Sequence, residues 1–320
     1  IINKTPVMFY KKKEKTLFSP SFFGFNNIVD KINEINPDIV HLHWICGGMI
    51  KIEDIANIKA HIVWSLHDMW AFTGGCHYNE GCSLYKNNCG NCKVLGSDKK
   101  NDLSRSIFNR KKKTFPLISS LTIIGVSQWL TKTSKNSPLL KNKKHINIPN
   151  PIDTNIFKPF SKYKARDLWG LPKSKKLVLF GAIGATSDPR KGFKELNESM
   201  DSLKNKDIEF VVFGSDKPKE SQKLKFKTHY LGHLYDDISL VALYSSVDVM
   251  VVPSLQEAFG QTASEAMSCG IPVVAFNTTG LMDIVDHKKN GYLAKPFKAD
   301  DLAIGIEWVL NNVNYDELSK

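Results

Sequence analysis

Short apolar runs alternate with helical spacings along most of this chain. The runs at 38–44, 61–66, 121–126, 145–148, 177–181, 208–213, 247–252 and 272–276 predict buried strands. A short strand and loop is predicted at 230–235. Between them, Ile28, Val29, Ile32 and Ile35 recur at helical intervals and Asn36-Pro37 stops that helix. Further helices are predicted at 52–58, at 102–118, from the N-cap Ser127 to about 135, from 193, at 236–245, from near 261, from 281 and at about 300–310. Strand, helix, strand in this rhythm implies parallel sheets. Residues 1–25 read as a connecting segment: a polar run at 11–15, then an aromatic stretch broken by Pro20 and Gly24.

The stretch 149–159 is rich in turn formers and reads as a linker. It divides the chain into a first domain, 1–150, a linker and approach, 151–176, and a second domain, 177–320. With 320 residues, two domains can each bury a core.

Candidate chemistry concentrates after the run 247–252. Pro253 and Ser254 end that strand, a loop carries Glu257 and Gly260, and a helix starts near Gln261. Gly260 lets a ligand approach the backbone closely. The amides of Gln261, Thr262 and Ala263 lie at the helix start, where anions bind. Glu257 precedes that start and Glu265 lies about one turn inside it. Carboxylates accept two or more hydrogen bonds from sugar hydroxyls. Carboxylate, helix start and carboxylate match the sugar, diphosphate and ribose of a nucleotide sugar. A second loop, 181–192, carries glycines with Arg190 and Lys191, which suit a diphosphate.

The string Pro253-Ser-x-x-Glu257-Ala-Phe-Gly260-x-x-x-x-Glu265-Ala-Met-x-x-Gly270-x-Pro272-Val-Val, with Gly280 beyond it, resembles the signature of retaining glycosyltransferases of family 4, of the bacterial surface-polysaccharide type. The resemblance runs from about Pro37 to the end and is strongest after Leu177. It implies the GT-B fold: two Rossmann-like α/β domains whose parallel sheets face across a cleft. The second would bind a nucleoside diphosphate sugar, and the first would receive a saccharide or lipid-linked saccharide acceptor. Glu265 would hold the ribose. Arg190, Lys191 and the amides from Gly260 to Thr262 would hold the diphosphate. Glu257 would hold the donor sugar, and Leu234 would lie near the base. His67, and more weakly Asp68, at the end of the run 61–66, would reach the sugar from the first domain. Transfer would retain the anomeric configuration without a divalent cation or other cofactor, and no Asp-x-Asp sequence argues otherwise. Ala182 stands where the family carries Arg, so Arg190 is expected to substitute. The family's opening strand with a glycine-rich loop and its closing return helix are not recognised. The chain opens Ile-Ile-Asn-Lys without a Met, so an incomplete first domain is expected.

Composition adds three points. Hydrophobic residues make 42% and charged residues 24%, as in soluble globular proteins. No apolar run nears the ~18 residues of a membrane span, and the first residues lack the pattern of a signal peptide. The net charge is +12; residues 1–150 hold 22 Lys/Arg against 10 Asp/Glu, so the whole excess lies there. Such a face attracts anionic lipid headgroups or phosphate-bearing acceptors, or is simply a lysine-rich surface. A cytoplasmic protein, peripheral on the inner membrane face, is expected, with 110–113 on the exposed side of its helix.

Cys76, Cys82, Cys89 and Cys92 fall within seventeen residues and end in Cys-x-x-Cys. A structural zinc, with His77 as a substitute ligand, two disulfides, and free thiols in a reducing cytosol are all open. Cys46 and Cys269 read as buried thiols. The rival functions are another GT-B enzyme, a nucleotide-sugar-binding fragment without catalysis, and a basic Cys-rich nucleic-acid-binding protein. The neutral second domain argues against the last, and no nucleic-acid partner is expected.

Overall fold

The structure is a computed structural model that describes residues 5–319 except 12, 15, 26, 182 and 216–223. Ala182, the departure noted above, thus lies outside the described residues, as do Lys12 and Lys15 of the polar run. The chain divides into two compact units, Ile1–Pro149 and Asn150–Lys320.

The first unit opens with α1 (Thr5–Met8) inside the expected connecting segment, followed by α2 (Ile28–Ile35). Its strands are β1 (Ile39–Leu42), β2 (His61–Leu66), β3 (Leu121–Gly125) and β4 (Lys144–Asn147), all parallel and in the spatial order β1-β2-β3-β4. Helix α3 (Leu103–Thr114) follows β2, and α4 (Gln128–Lys135) follows β3. Asp102 caps α3 by accepting from the Arg105 amide, and Ser127 caps α4 by accepting from Leu130. Val40, Leu42, Ile62, Trp64 and Ile123 point into the core, while Ile39 and His41 point out.

Part of the basic stretch on α3 is not the exposed face expected from the sequence. Arg110 makes a two-pronged pair with Glu53, both bonds 2.7 Å, and also donates to the carbonyls of Pro20 and Ser21. Lys111 is wholly buried; it donates to the carbonyls of Trp70 and Thr73 and lies 3.6 Å from the Trp70 ring centroid. The helical period explains this: 107, 108, 111 and 114 share one face, and Ile107, Phe108 and Thr114 are buried there too. Lys112 and Lys113 remain exposed.

The second unit holds α5 (Lys162–Leu168), β5 (Lys176–Gly181), α6 (Phe193–Ser199), β6 (Ile208–Phe213), β7 (Thr228–Tyr230), α7 (Asp237–Ser246), β8 (Val249–Val252), α8 (Gln261–Ser268), β9 (Val273–Phe276), β10 (Gly291–Ala294), α9 (Ala299–Leu310) and α10 (Tyr315–Leu318). The helix expected from 281 is a 3-10 turn, Thr279–Asp283. Residues 151–176, read as linker and approach, lie within this unit: Phe157 is in its core, and Arg166 pairs with Asp248 at 2.8 Å. The sheet is parallel, in the order β10-β9-β8-β5-β6-β7.

From the centre, β5-β6-β7 step to one edge and β8-β9-β10 step to the other. Right-handed crossovers then place helices on both faces. Two cores result. Val178, Phe180, Phe210, Val249 and Val251 build one; Leu177, Leu179, Val211, Met250 and Val252 build the other. Each valine buried this way stabilises the unit by about 1.5–3 kcal/mol. The order reverses between β5 and β8, and ligands of open α/β sheets bind beyond the carboxyl ends of the strands at such a reversal.

Candidate active site

The loops after β5 and β8 meet at that reversal. Gly192 has φ +73°, and a Cβ there would stand 1.9 Å from the Pro253 carbonyl oxygen, so only glycine fits. The Leu255 amide donates to the Arg190 carbonyl at 2.8 Å, and Arg190 Nη1 donates to the Gln256 carbonyl at 3.0 Å. The loop after β9 joins them. Glu257 N donates to Thr279 Oγ1, and Gly280 N donates to the Glu257 carbonyl, both at 3.0 Å. Main-chain bonds therefore fix where Glu257 leaves the backbone.

Its carboxylate is fixed as well. Glu257 Oε1 accepts from Lys191 Nζ at 2.6 Å and from Ser254 Oγ at 2.9 Å, with Arg190 Nη1 at 3.7 Å. Arg190 also donates to Asp188 at 3.0 Å. Lys191, Arg190 and Glu257 are 16%, 17% and 13% exposed, so these charges act at a partly desolvated site where they count for more than on an open surface.

Helix α8 starts beside this cluster. Gly260 has φ +116°, and a Cβ there would stand 2.7 Å from Leu281 Cδ2. The missing side chain makes room for Leu281. Ala263 N donates to the Gly260 carbonyl at 3.0 Å, so its amide is engaged. The amides of Gln261 and Thr262 are the ones left with no helical carbonyl to reach. Glu265, further along α8, accepts from the Tyr244 hydroxyl at 2.7 Å. Burial raises the Glu265 pKa above the usual carboxylate range, while bonds from Tyr244 and Gln261 pull it back. Leu234 follows β7 and packs, half-buried, against the second core.

In the first unit, His67 and Asp68 leave the carboxyl end of β2. His67 Nε2 lies 2.8 Å from His43 Nδ1. Burial, then the neighbouring His43, lowers the His67 pKa and favours the neutral ring. Both Asp68 oxygens are used: Oδ1 accepts from the Trp70 amide at 2.7 Å, and Oδ2 lies 2.5 Å from His77 Nδ1. Asp68 is thus tied to the Trp70 amide and to His77. Cys76, Cys82, Cys89 and Cys92 line a separate small cavity.

Sequence reasoning passed over His43, Tyr244, Ser254 and Thr279. His41-x-His43 at a strand end, opposite His67, carried a readable signal for the first. A tyrosine among the apolar residues of 240–247 carried a faint one for the second. Ser254 lies only three residues before its partner Glu257 and was read just as a strand end, whereas Thr279 meets Glu257 from twenty-two positions away and nothing local marks it.

Residues 163–319 match the family described as "Glycosyl transferases group 1". The chain is 27% identical to the uncharacterized glycosyltransferase MJ1607 of Methanocaldococcus jannaschii, over 93% of this chain and 79% of that one. It is 25% identical to the putative colanic acid biosynthesis glycosyl transferase WcaC of Escherichia coli, over 84% and 67%. The fold aligns with Anabaena Alr3699/HepE, solved with UDP and glucose, at a TM-score of 0.62 and 19% identity, over 91% and 74%. The family match falls on the unit that holds the Glu257–Lys191 pair, and the two parallel-sheet Rossmann-like units share the fold of GT-B glycosyltransferases.

Proposed function

We propose that the chain moves a sugar, with retention of configuration, from a nucleoside diphosphate sugar to a saccharide or lipid-linked saccharide, in the building of a surface polysaccharide. One observation carries this reading. At the β5/β8 reversal, two cations, a fixed carboxylate and the start of α8 are gathered by three interlocked loops.

The diphosphate sits against the amides of Gln261 and Thr262 and is neutralised by Lys191 and Arg190. Glu257 holds the sugar hydroxyls, and Glu265 holds the ribose. The bond from the anomeric carbon to phosphate oxygen breaks, and the new bond to the acceptor oxygen forms on the same face. The acceptor's proton goes to the departing phosphate oxygen. Stabilising the leaving charge is electrostatic work that these groups can do without a divalent cation. His67 serves the transfer from the first unit, with Asp68 holding its loop. The relative in colanic acid biosynthesis favours a polysaccharide product, and the UDP bound by HepE makes UDP-sugars the first donors to try. Work at the cytoplasmic membrane face, with the basic first unit toward anionic lipid, fits the charge split.

Transfer by the full chain, followed with a panel of nucleotide sugars ranked by thermal shift, tests the reading. Glu257→Ala is expected to lower kcat by about 100-fold or more while nucleotide affinity stays within about threefold. His67→Ala is expected to cost about tenfold. Unchanged turnover in Glu257→Ala would refute the assigned site.

A further inference from the structure

The four clustered cysteines have no part in the proposed transfer. Cys76, Cys82, Cys89 and Cys92 line one cavity of about 20 Å³, together with Asn79, Tyr85 and Ser104. All four are free thiols. The Leu84 amide donates to Cys82 Sγ at 3.4 Å. A neutral thiol is a weak acceptor and a thiolate a strong one, so this donor suits charged sulfur.

The backbone and the charges agree. Cys89, Gly90 and Asn91 have φ of 52°, 98° and 46°, a left-handed run that turns Cys89 back toward Cys92. A Cβ on Gly90 would stand 2.3 Å from the Lys100 carbonyl oxygen, so the turn depends on glycine. The buried Lys111 donates to the carbonyls of Trp70 and Thr73. Arg105 Nε donates to the Cys89 carbonyl at 3.0 Å. The nearby carboxylate, Asp68, is held by His77. The Arg105 guanidinium, always charged, stands beside Cys89 and favours an anion there.

We propose that Cys76, Cys82, Cys89 and Cys92 bind one zinc ion as a tetrahedral structural centre. Four thiols release four protons to solvent, and four thiolates bind one Zn²⁺, leaving a net charge of minus two. Arg105, bound to the Cys89 carbonyl, lies beside that charge. Among the described residues no three His, Cys, Asp or Glu side chains already form a metal cage, so the sulfurs must close on the ion as it enters. His77 is not a fifth candidate: its nitrogens lie 2.5 Å from Asp68 and 2.9 Å from Ser19 Oγ. The centre would pin the loop that carries Thr73 and His77, and through them Lys111 and Asp68.

The test is elemental analysis and native mass spectrometry of the full chain, purified without a metal-affinity tag. About one zinc per chain is expected, retained through dialysis against a chelator and released by a thiol-specific mercurial. Cys89→Ser should lower the content to about a tenth or less, while Cys46→Ser and Cys269→Ser keep it. Should Cys89→Ser fail to fold, cobalt substitution of the unmodified chain decides: tetrahedral thiolate–cobalt absorption supports the centre, and its absence overturns it. A zinc-free chain with four reactive thiols overturns it too. So does a mass lower by two or four hydrogens, which marks disulfides.

Discussion

The inner strands of the second sheet and the edge strand β1 of the first are buried in different ways. All four residues of β8, all four of β9 and all six of β6 are buried, because helices lie on both faces of the second sheet. In β1, Val40 and Leu42 are buried while Ile39 and His41 face outward. On that outward side His41 Nε2 lies 2.8 Å from Ser65 Oγ, and His61 Nε2 lies 3.1 Å from Thr122 Oγ1. The strand orders follow the same division. The second sheet reverses direction between β5 and β8 and so makes a crevice; the first runs β1 to β4 without a reversal. Charged groups with a shared purpose therefore meet at a topological point in one unit. In the first unit His43 and His67 follow the ends of β1 and β2 and lie 2.8 Å apart.

The contrast makes a prediction about ion pairs. Asp248 in the second unit accepts from buried Arg166 at 2.8 Å and from the Leu177 amide at 2.7 Å. Asp248→Ala, which strands a buried guanidinium, is expected to cost about 3–5 kcal/mol in a denaturant titration. Glu53, 39% exposed beside Arg110 in the first unit, should cost about 1 kcal/mol when changed to Ala. Equal costs would break the distinction between the units.

Two glycines sharpen it within the second unit. Gly192→Ala drives a Cβ into the Pro253 carbonyl and is expected to cost about 3 kcal/mol or more. Gly232→Ala, at φ +69° with open space around it, should cost about 1 kcal/mol. Both read out as shifts in unfolding midpoint.

A smaller effect is expected at Tyr244. Tyr244→Phe removes a bond to Glu265 worth about 1 kcal/mol, so nucleoside diphosphate affinity should weaken about fivefold. The 2′,3′-dideoxy nucleotide, which offers Glu265 no hydroxyl, should show no such change in calorimetry.

The smallest expected effect is on pH. The Glu265 pKa is raised by burial, so its ionised form is disfavoured by the fold. Ligand-free stability carried by the protonated form is lost as pH rises through that pKa. Nucleotide binding needs the ionised form, so affinity should weaken as pH falls through a window above the usual carboxylate range. Glu265→Gln should bind weakly at every pH and show no such window. A pH-independent affinity in the unmodified chain would remove Glu265 from the ribose site.

These contrasts also explain what the sequence made legible. Strands buried on both faces write unbroken apolar runs, and 208–213 and 247–252 announced β6 and β8 almost to the residue. The Pro253–Val274 string told of a loop and helix start because its glycines, proline and carboxylates carry local constraints. Lys111 was misread because a lysine on a basic stretch looks solvated until the helix face is known. The Gly260 contact with Leu281 and the Tyr244 bond to Glu265 join residues about twenty positions apart, and no local pattern encodes them.

Crystals of the full chain grown with UDP, GDP or ADP examine the central claim most directly. The account predicts the diphosphate on the Gln261 and Thr262 amides, Lys191 and Arg190 turned to its oxygens, and Glu265 on the ribose. A nucleotide bound elsewhere, with the Lys191–Glu257 pair untouched, would contradict it.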